Sequence, residues 1–231
     1  MNSTKRAARI AGLLYLLLVV TAPINLLYVP GKLIVQGNAT ATANNILASQ
    51  TLFRIGIVSG LVSPVIFIFL VLSLYRLLKG VNQQHAALMV ILALVQVPLG
   101  FLNELNQIAA LVLVRGADFL SVFEKPQRDA LAMLFLNLHG HGIIASEMFW
   151  GLWLFPFGLL VFRSGFLPRI LGVWLIVNGF AYLTLCFTGL LLPQYQKMVS
   201  NITFPALLGE MAIMLWLLIM GAKDQPLDAA A

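Results

Sequence analysis

The sequence predicts an all-α fold, a polytopic membrane helix bundle of about six transmembrane helices. Three observations carry that expectation. Of the 231 residues, 61% are hydrophobic and only 10% are charged, where a soluble domain carries about 25% charged residues. The apolar residues are gathered into long runs, each near the roughly 20 residues that a helix needs to cross the hydrocarbon core. Finally, no polar stretch between the runs is long enough to fold as a soluble domain, so one integral membrane domain over 1–231 is expected.

The runs lie near 10–29, 53–77, 86–114, 133–162, 168–190 and 204–221. Lys5, Arg6 and Arg9 precede the first, as in a signal peptide. Its apolar run is longer than a signal peptide's, and Pro23 follows Ala22 at the only small-residue cleavage candidate, so it is expected to stay as a span. The segment Pro30 to Thr51 is rich in Asn, Thr, Ala and Gly and reads as a mobile or loosely helical loop. Spans two and three are joined by the tight link Lys79-Gly80-Val81-Asn82. Spans four and five are joined by Ser164-Gly165-Phe166-Leu167-Pro168, where Gly165 can stop one helix and Pro168 start the next. Gly56 and Gly60 in span two, four residues apart, predict close packing against another helix. Trp150, Trp153, Trp174 and Trp216 read as interface anchors or lipid-facing bulk.

The cations set an orientation. With the amino terminus inside, Lys5, Arg6, Arg9, Arg76, Lys79, Arg163, Arg169 and Lys223 fall on the cytoplasmic side, in short links. Lys32, Arg54, Arg115, Lys125, Arg128 and Lys197 fall outside, where the longer loops also carry Asp118, Glu124 and Asp129. Both termini are therefore expected in the cytoplasm. The same distribution argues against nucleic acid as a partner, because a net charge of +6 is spread one to three cations per loop. The single cysteine, Cys186, rules out an intrachain disulfide.

Function is concentrated in the polar residues inside the spans. Glu104, Glu147 and Glu210 lie in apolar surroundings, where a carboxylate costs roughly 2.5–3.5 kcal/mol on insertion scales and normally faces a partner or a wet cavity. In span three, Gln96, Gly100, Asn103 and Gln107 share a stripe at about 100° per residue, with Glu104 beside it and Asn106 widening the sector. Such amides can simply bond between helices; the carboxylate adds the case for a polar chamber. In span four, His139 and His141 are about 200° apart and so face opposite ways. His139 lies on the side of Ser146 and Trp150, with Glu147 about 80° away.

Metal-ligand spacing is missing: a zinc-protease helix needs His at i and i+4 with Glu between. A metal would require His139 to join Glu104 or Glu210 from other helices. No cofactor motif is present either, since the chain has no phosphate-cradling Gly loop, nucleophile elbow or CxxC. Ser164 reads as a turn residue. Thr21 and Asn25 sit one turn apart in span one around Pro23, and Arg54 opens span two. Counting 1.5 Å per residue, Asn25, Asn103, Glu104 and His139 fall in the outer half, with Glu147 and Glu210 nearer the middle. One outward-opening chamber lined by spans three, four and six is the expectation. Its ligand-binding residues would be Glu104, His139, Glu147, Glu210, Asn103, Gln107, Asn25 and Arg54.

Several stretches together carry a family resemblance: Arg9-Ile10-Ala11-Gly12-Leu13-Leu14-Tyr15, Leu52-Phe53-Arg54-Ile55-Gly56, Leu74-Tyr75-Arg76 through Asn82, Phe162-Arg163-Ser164-Gly165 through Gly172, and Gly209-Glu210. His139 and Phe149-Trp150-Gly151-Leu152 belong to the same pattern. The chain resembles the bacterial multi-span membrane family DUF4386, a domain of unknown function. The resemblance implies a bacterial or archaeal inner-membrane protein of about six helices and brings no known activity. On that likeness Arg54, Tyr75, Arg76, His139, Arg163, Pro168 and Glu210 are the positions expected to matter.

Three functions fit these residues. A binding or transport protein would use the buried carboxylates to hold a small ligand, a cation or a proton, which is their ordinary use in proton-linked transport. A non-catalytic partner or sensor subunit would need the polar residues only to fix helix packing. An intramembrane enzyme would pair His139 with Glu147 or Glu210 for acid–base work. The lipid bilayer is the one partner all three share.

Overall fold

Apolar runs with no internal polar break have one way to satisfy their backbone in lipid, which is to bond within the segment as helices. The structure, a computed structural model, describes residues 3–223, and among these every regular element is helical. The long helices are α1 (Ser3–Pro23), α4 (Gln50–Leu78), α5 (Gln83–Arg115), α6 (Lys125–Leu152), α8 (Arg169–Leu191) and α9 (Gln196–Ile219). Shorter ones are α2 (Val29–Leu33), α3 (Ala39–Ala48) and α7 (Leu154–Arg163). Six helical segments are long and apolar enough to cross a membrane: Thr4–Leu33, Gln50–Leu78, Gln83–Arg115, Lys125–Arg163, Arg169–Leu191 and Pro193–Ile219. Each contains most or all of one predicted run. The chain is an all-α polytopic membrane helix bundle. Exposed Leu13, Leu17, Val58, Phe69, Ile91 and Leu102 give these helices the apolar outer surface that lipid requires.

Prolines explain the local breaks. Pro23 lacks the N–H that would bond the carbonyl four residues back, and a π-helical turn, Ile24–Tyr28, follows it directly. The Val29 amide then reaches Ile24 O, a five-residue span. Pro156 removes the bond to the Leu152 carbonyl in the same way, and α6 gives way to α7 at Trp153. Gly165 has φ +70° and ends α7, as a C-terminal glycine does. Pro168 caps α8 from just outside its first turn. Ser164 donates to Val161 O at 2.8 Å and accepts from the Leu167 amide at 3.1 Å, so it is the turn residue expected.

One expectation is narrowed and one is corrected. The segment after Pro30 takes the helical of its two expected forms over Ala39–Ala48, and that helix is packed and not loose. Asn38 caps α3 by accepting from the Ala41 amide at 2.9 Å, and Thr42, Ala43 and Ile46 are buried. Trp153 is no lipid-facing anchor. It is 2% exposed, stacks on Phe157 at 5.3 Å and meets Phe67 edge-on at 5.2 Å. The break at Pro156 falls in the same turn of the span.

The chain forms two compact units. One comprises the chain up to Val19, Val65–Val97 and the chain from Ile144; the other comprises Val20–Pro64 and Pro98–Ile143. The borders in α4 and α5 fall at Pro64 and Pro98. The core of the first unit includes Ala11, Tyr15, Leu74, Met89, Trp153, Leu175 and Leu217. There α8 packs tightly on the α6–α7 segment. A Cβ at Gly158 would lie 2.7 Å from Gly172 O, and one at Gly151 would lie 2.6 Å from Gly179 O. Small residues allow this backbone approach, and dispersion and packing hold it. The core of the second unit includes Val29, Ile46, Phe53, Ile57, Ala110 and Leu136.

Candidate functional site

In the second unit, a polar group forms around Glu104. The π turn after Pro23 carries Asn25, which is 3% exposed. Its Nδ2 donates to Gly56 O at 2.9 Å and to both Glu104 carboxyl oxygens at 3.1 Å. On α5, Gln107 lies one turn beyond Asn103 and beside Glu104, as the stripe predicts. Gln107 Nε2 donates to Asn25 Oδ1 at 3.2 Å and lies 3.0 Å from His139 Nε2. His139 Nε2 is in turn 3.2 Å from Glu104 Oε1. Glu104, Gln107 and His139 are all buried, while Phe101, Leu102 and Leu105 on the opposite face of α5 are exposed.

Two glycines make the space. A Cβ on Gly60 would overlap Asn25 Nδ2 and the Glu104 carboxyl group, and one on Gly142 would overlap the Asn103 amide. Asn103 Nδ2 donates to the His139 carbonyl at 3.0 Å, and Asn106 donates to Asn103. Ser59 and Ser63 extend the polar side of α4, donating to Thr21 O at 2.6 Å and Thr21 Oγ1 at 3.0 Å.

The donor directions in this group follow from its fixed ends. Asn25 Nδ2 faces three oxygens, so Oδ1 is the atom turned toward Gln107, which must then present its NH2. That NH2 also points at His139 Nε2, which accepts if it is bare. A bare Nε2 can bond Glu104 Oε1 only if the hydrogen is on the carboxyl group. If the ring nitrogen carries the hydrogen, it donates to Glu104 and meets Gln107 donor against donor. The two arrangements differ in the position of one proton.

The first unit has a second polar group. Glu210 on α9 accepts from Tyr15 Oη at 2.5 Å and from Tyr182 Oη at 3.0 Å. Asn178, wholly buried on α8, lies within electrostatic reach of that carboxylate but completes no hydrogen bond of full geometry. Trp150 packs edge-on against Tyr182, with ring centres 5.7 Å apart. Glu147 lies close enough to act on Tyr182, and its buried Oε2 makes no hydrogen bond among the described residues. Gln96 donates to Phe149 O at 3.1 Å.

The residues singled out from sequence therefore separate. Asn25, Asn103, Glu104, Gln107 and His139 come together in one unit, and Glu147 and Glu210 belong to the other. The helices around Glu104 are the first, second, third and fourth spans, and span six supplies Glu210 to a different set of partners. Arg54 is exposed near the start of α4 and bonds to none of them; His141 is exposed. Among the described residues, no three His, Cys, Asp or Glu lie close enough to hold one metal ion.

Sequence reasoning missed Gly60 as the space for the carboxyl group, because a pair of small residues reads first as helix packing. It also missed Tyr15, Tyr182 and Asn178 around Glu210. A tyrosine well inside an apolar run, where its hydroxyl needs a partner, was the available signal.

Six apolar spans with carboxyl groups held by amides, a histidine and tyrosines define an integral membrane protein with polar sites inside its helices. The chain belongs to the family described as a domain of unknown function, DUF4386, which it matches over residues 10–221. Neither a curated protein nor a solved structure matches it.

Proposed function

We propose that this protein binds and passes a proton at the Glu104–His139 pair. In this reading it is a multi-pass protein of the bacterial cytoplasmic membrane with both termini in the cytoplasm. The polar group opens toward the outer face, and the proton couples to the movement of a small ligand or cation. The observation that carries the reading is the 3.2 Å approach of His139 Nε2 to Glu104 Oε1, with Gln107 Nε2 at 3.0 Å on the same nitrogen. Asn25 and Gln107 both turn amide hydrogens into the group, so a metal ion placed there would meet like partial charge. A proton between nitrogen and oxygen needs no added space, and the Gln107 NH2 opposes it only while it sits on the ring nitrogen.

The test uses the full chain in sealed vesicles containing a pH-sensitive dye. The wild-type protein should relax an imposed pH difference or convert it into ligand movement, and Glu104→Gln and His139→Gln should each abolish this while remaining folded. If folded variants keep the full proton response, the polar group serves only helix packing and the protein is a partner or sensor subunit.

A further inference from the structure

A hollow of about 580 Å³, open to the surface and with Arg76, Lys79 and Gln83 exposed along it, lies in the first unit where α1 begins, α4 ends and α5 starts. Its polar lining is Thr4, Tyr75, Arg76, Lys79 and Gln83, with Leu77 among the apolar walls. We infer that this cavity binds a phosphate group. Arg76 and Lys79 are three residues apart and line the same space, which gives the cavity two positive charges and, among the described residues, no negative one. Neither cation has an ion-pair partner among the described residues. The described carboxylates of this unit, Glu147 and Glu210, lie outside the cavity lining.

A helix C-terminus favours a cation at Arg76, and the loop end of a membrane span favours one at either position. Both effects account for positive charge at this level of the molecule. Neither produces a concave site of ligand size in which the remaining polar groups are hydroxyls and an amide. Phosphate suits that lining chemically. The Arg fork can take two phosphate oxygens, Lys adds a point charge, and Thr4, Tyr75 and Gln83 can each donate to a third. The cavity sits at the ends of three membrane-spanning segments, the level at which lipid phosphates lie. The phosphate can thus belong to a lipid headgroup or to a soluble phosphate compound.

The experiment compares the wild-type chain with Arg76→Gln/Lys79→Gln and with Arg76→Lys, which keeps the charge and loses the fork. Lys197→Gln serves as the control cation. Each is purified in detergent, and retention of phosphatidylglycerol against phosphatidylcholine is measured by native mass spectrometry, with and without added inorganic phosphate. The wild type and Lys197→Gln should prefer the phosphoglycerol lipid. The double variant should lose about tenfold in that preference and Arg76→Lys less, as removing charge-assisted bonds requires. Displacement of the lipid by inorganic phosphate, or stabilisation by inorganic phosphate alone, would identify the phosphate itself as the recognised group and a soluble source as sufficient. Lipid preference unmoved by phosphate would assign the site to the headgroup. Equal behaviour of the wild type and the double variant in both arms would overturn the proposal.

Discussion

Glu104 and Glu210 are both carboxyl groups inside apolar helices, the first buried and the second half-buried, and their partners differ in what they can do. Glu210 is held by two tyrosine hydroxyls. A hydroxyl can rotate to donate or accept, so this group can adjust to a changed partner. Glu104 is held by Asn25 and faces His139, with Gln107 behind both. Amides present fixed donor and acceptor ends, and Asn25 is locked further by the Gly56 carbonyl. The same residue type is therefore adaptable in one unit and committed in the other. A committed network has one soft point, the contact between His139 and Glu104, where the proposed proton would lie.

The largest effect should come from filling the space that the Glu104 group uses. Gly60→Val places new atoms against Asn25 and the carboxyl group, which cannot rotate away, and should cost about 3 kcal/mol. Thermal unfolding in detergent micelles would show it as a clear drop in midpoint. An unchanged midpoint would mean that the amides are not held as described.

Next comes the direct contrast between the two carboxyl groups. Glu104→Gln leaves an NH2 that competes with Gln107 for one nitrogen lone pair, or faces the Asn25 NH2, and should cost about 2 kcal/mol. Glu210→Gln leaves hydroxyls that can turn to accept, and should cost about 1 kcal/mol or less. Unfolding midpoints for the two variants measure the contrast, and a reversed order would break it.

Tyr15→Phe should cost about 1 kcal/mol, and Tyr182→Phe the same. Because they share one carboxylate, the double variant should depart from the sum of the two. At the small end, His141→Ala should stay within about 0.5 kcal/mol, since that ring is exposed. A large loss there would mean that the phase assigned to α6 is wrong.

Much of this was legible in the residues. The six spans follow from run length, the inward stripe of α5 follows from helical phase, and the separation of His139 from His141 follows from their spacing. Asn25, Asn103, Glu104 and His139 were matched in depth from the rise per residue, and they do meet. Depth counting failed to separate Glu147 and Glu210 from that group, because height along a helix says nothing about which neighbours pack together. The π turn after Pro23 was visible only as a proline that loosens the backbone, yet it carries Asn25 to the carboxyl group. For α3 the residues left a mobile and a loosely helical reading open, because Asn and Thr read as loop formers; the Asn38 cap and the buried Thr42 bonded to Val35 favour the helix.

The proposed sharing of a proton between His139 and Glu104 can be tested directly. Nuclear magnetic resonance of the full chain in lipid nanodiscs, with ¹⁵N-labelled histidine and ¹³C-labelled glutamate, reports the His139 ring nitrogen and the Glu104 carboxyl carbon; His139→Gln and Glu104→Gln assign them. As pH is raised, the pair should give up its one shared proton to solvent, so the two signals should shift together in a single step with a common midpoint. A ring nitrogen that titrates alone, with an unchanging Glu104 signal, would contradict a proton shared between them.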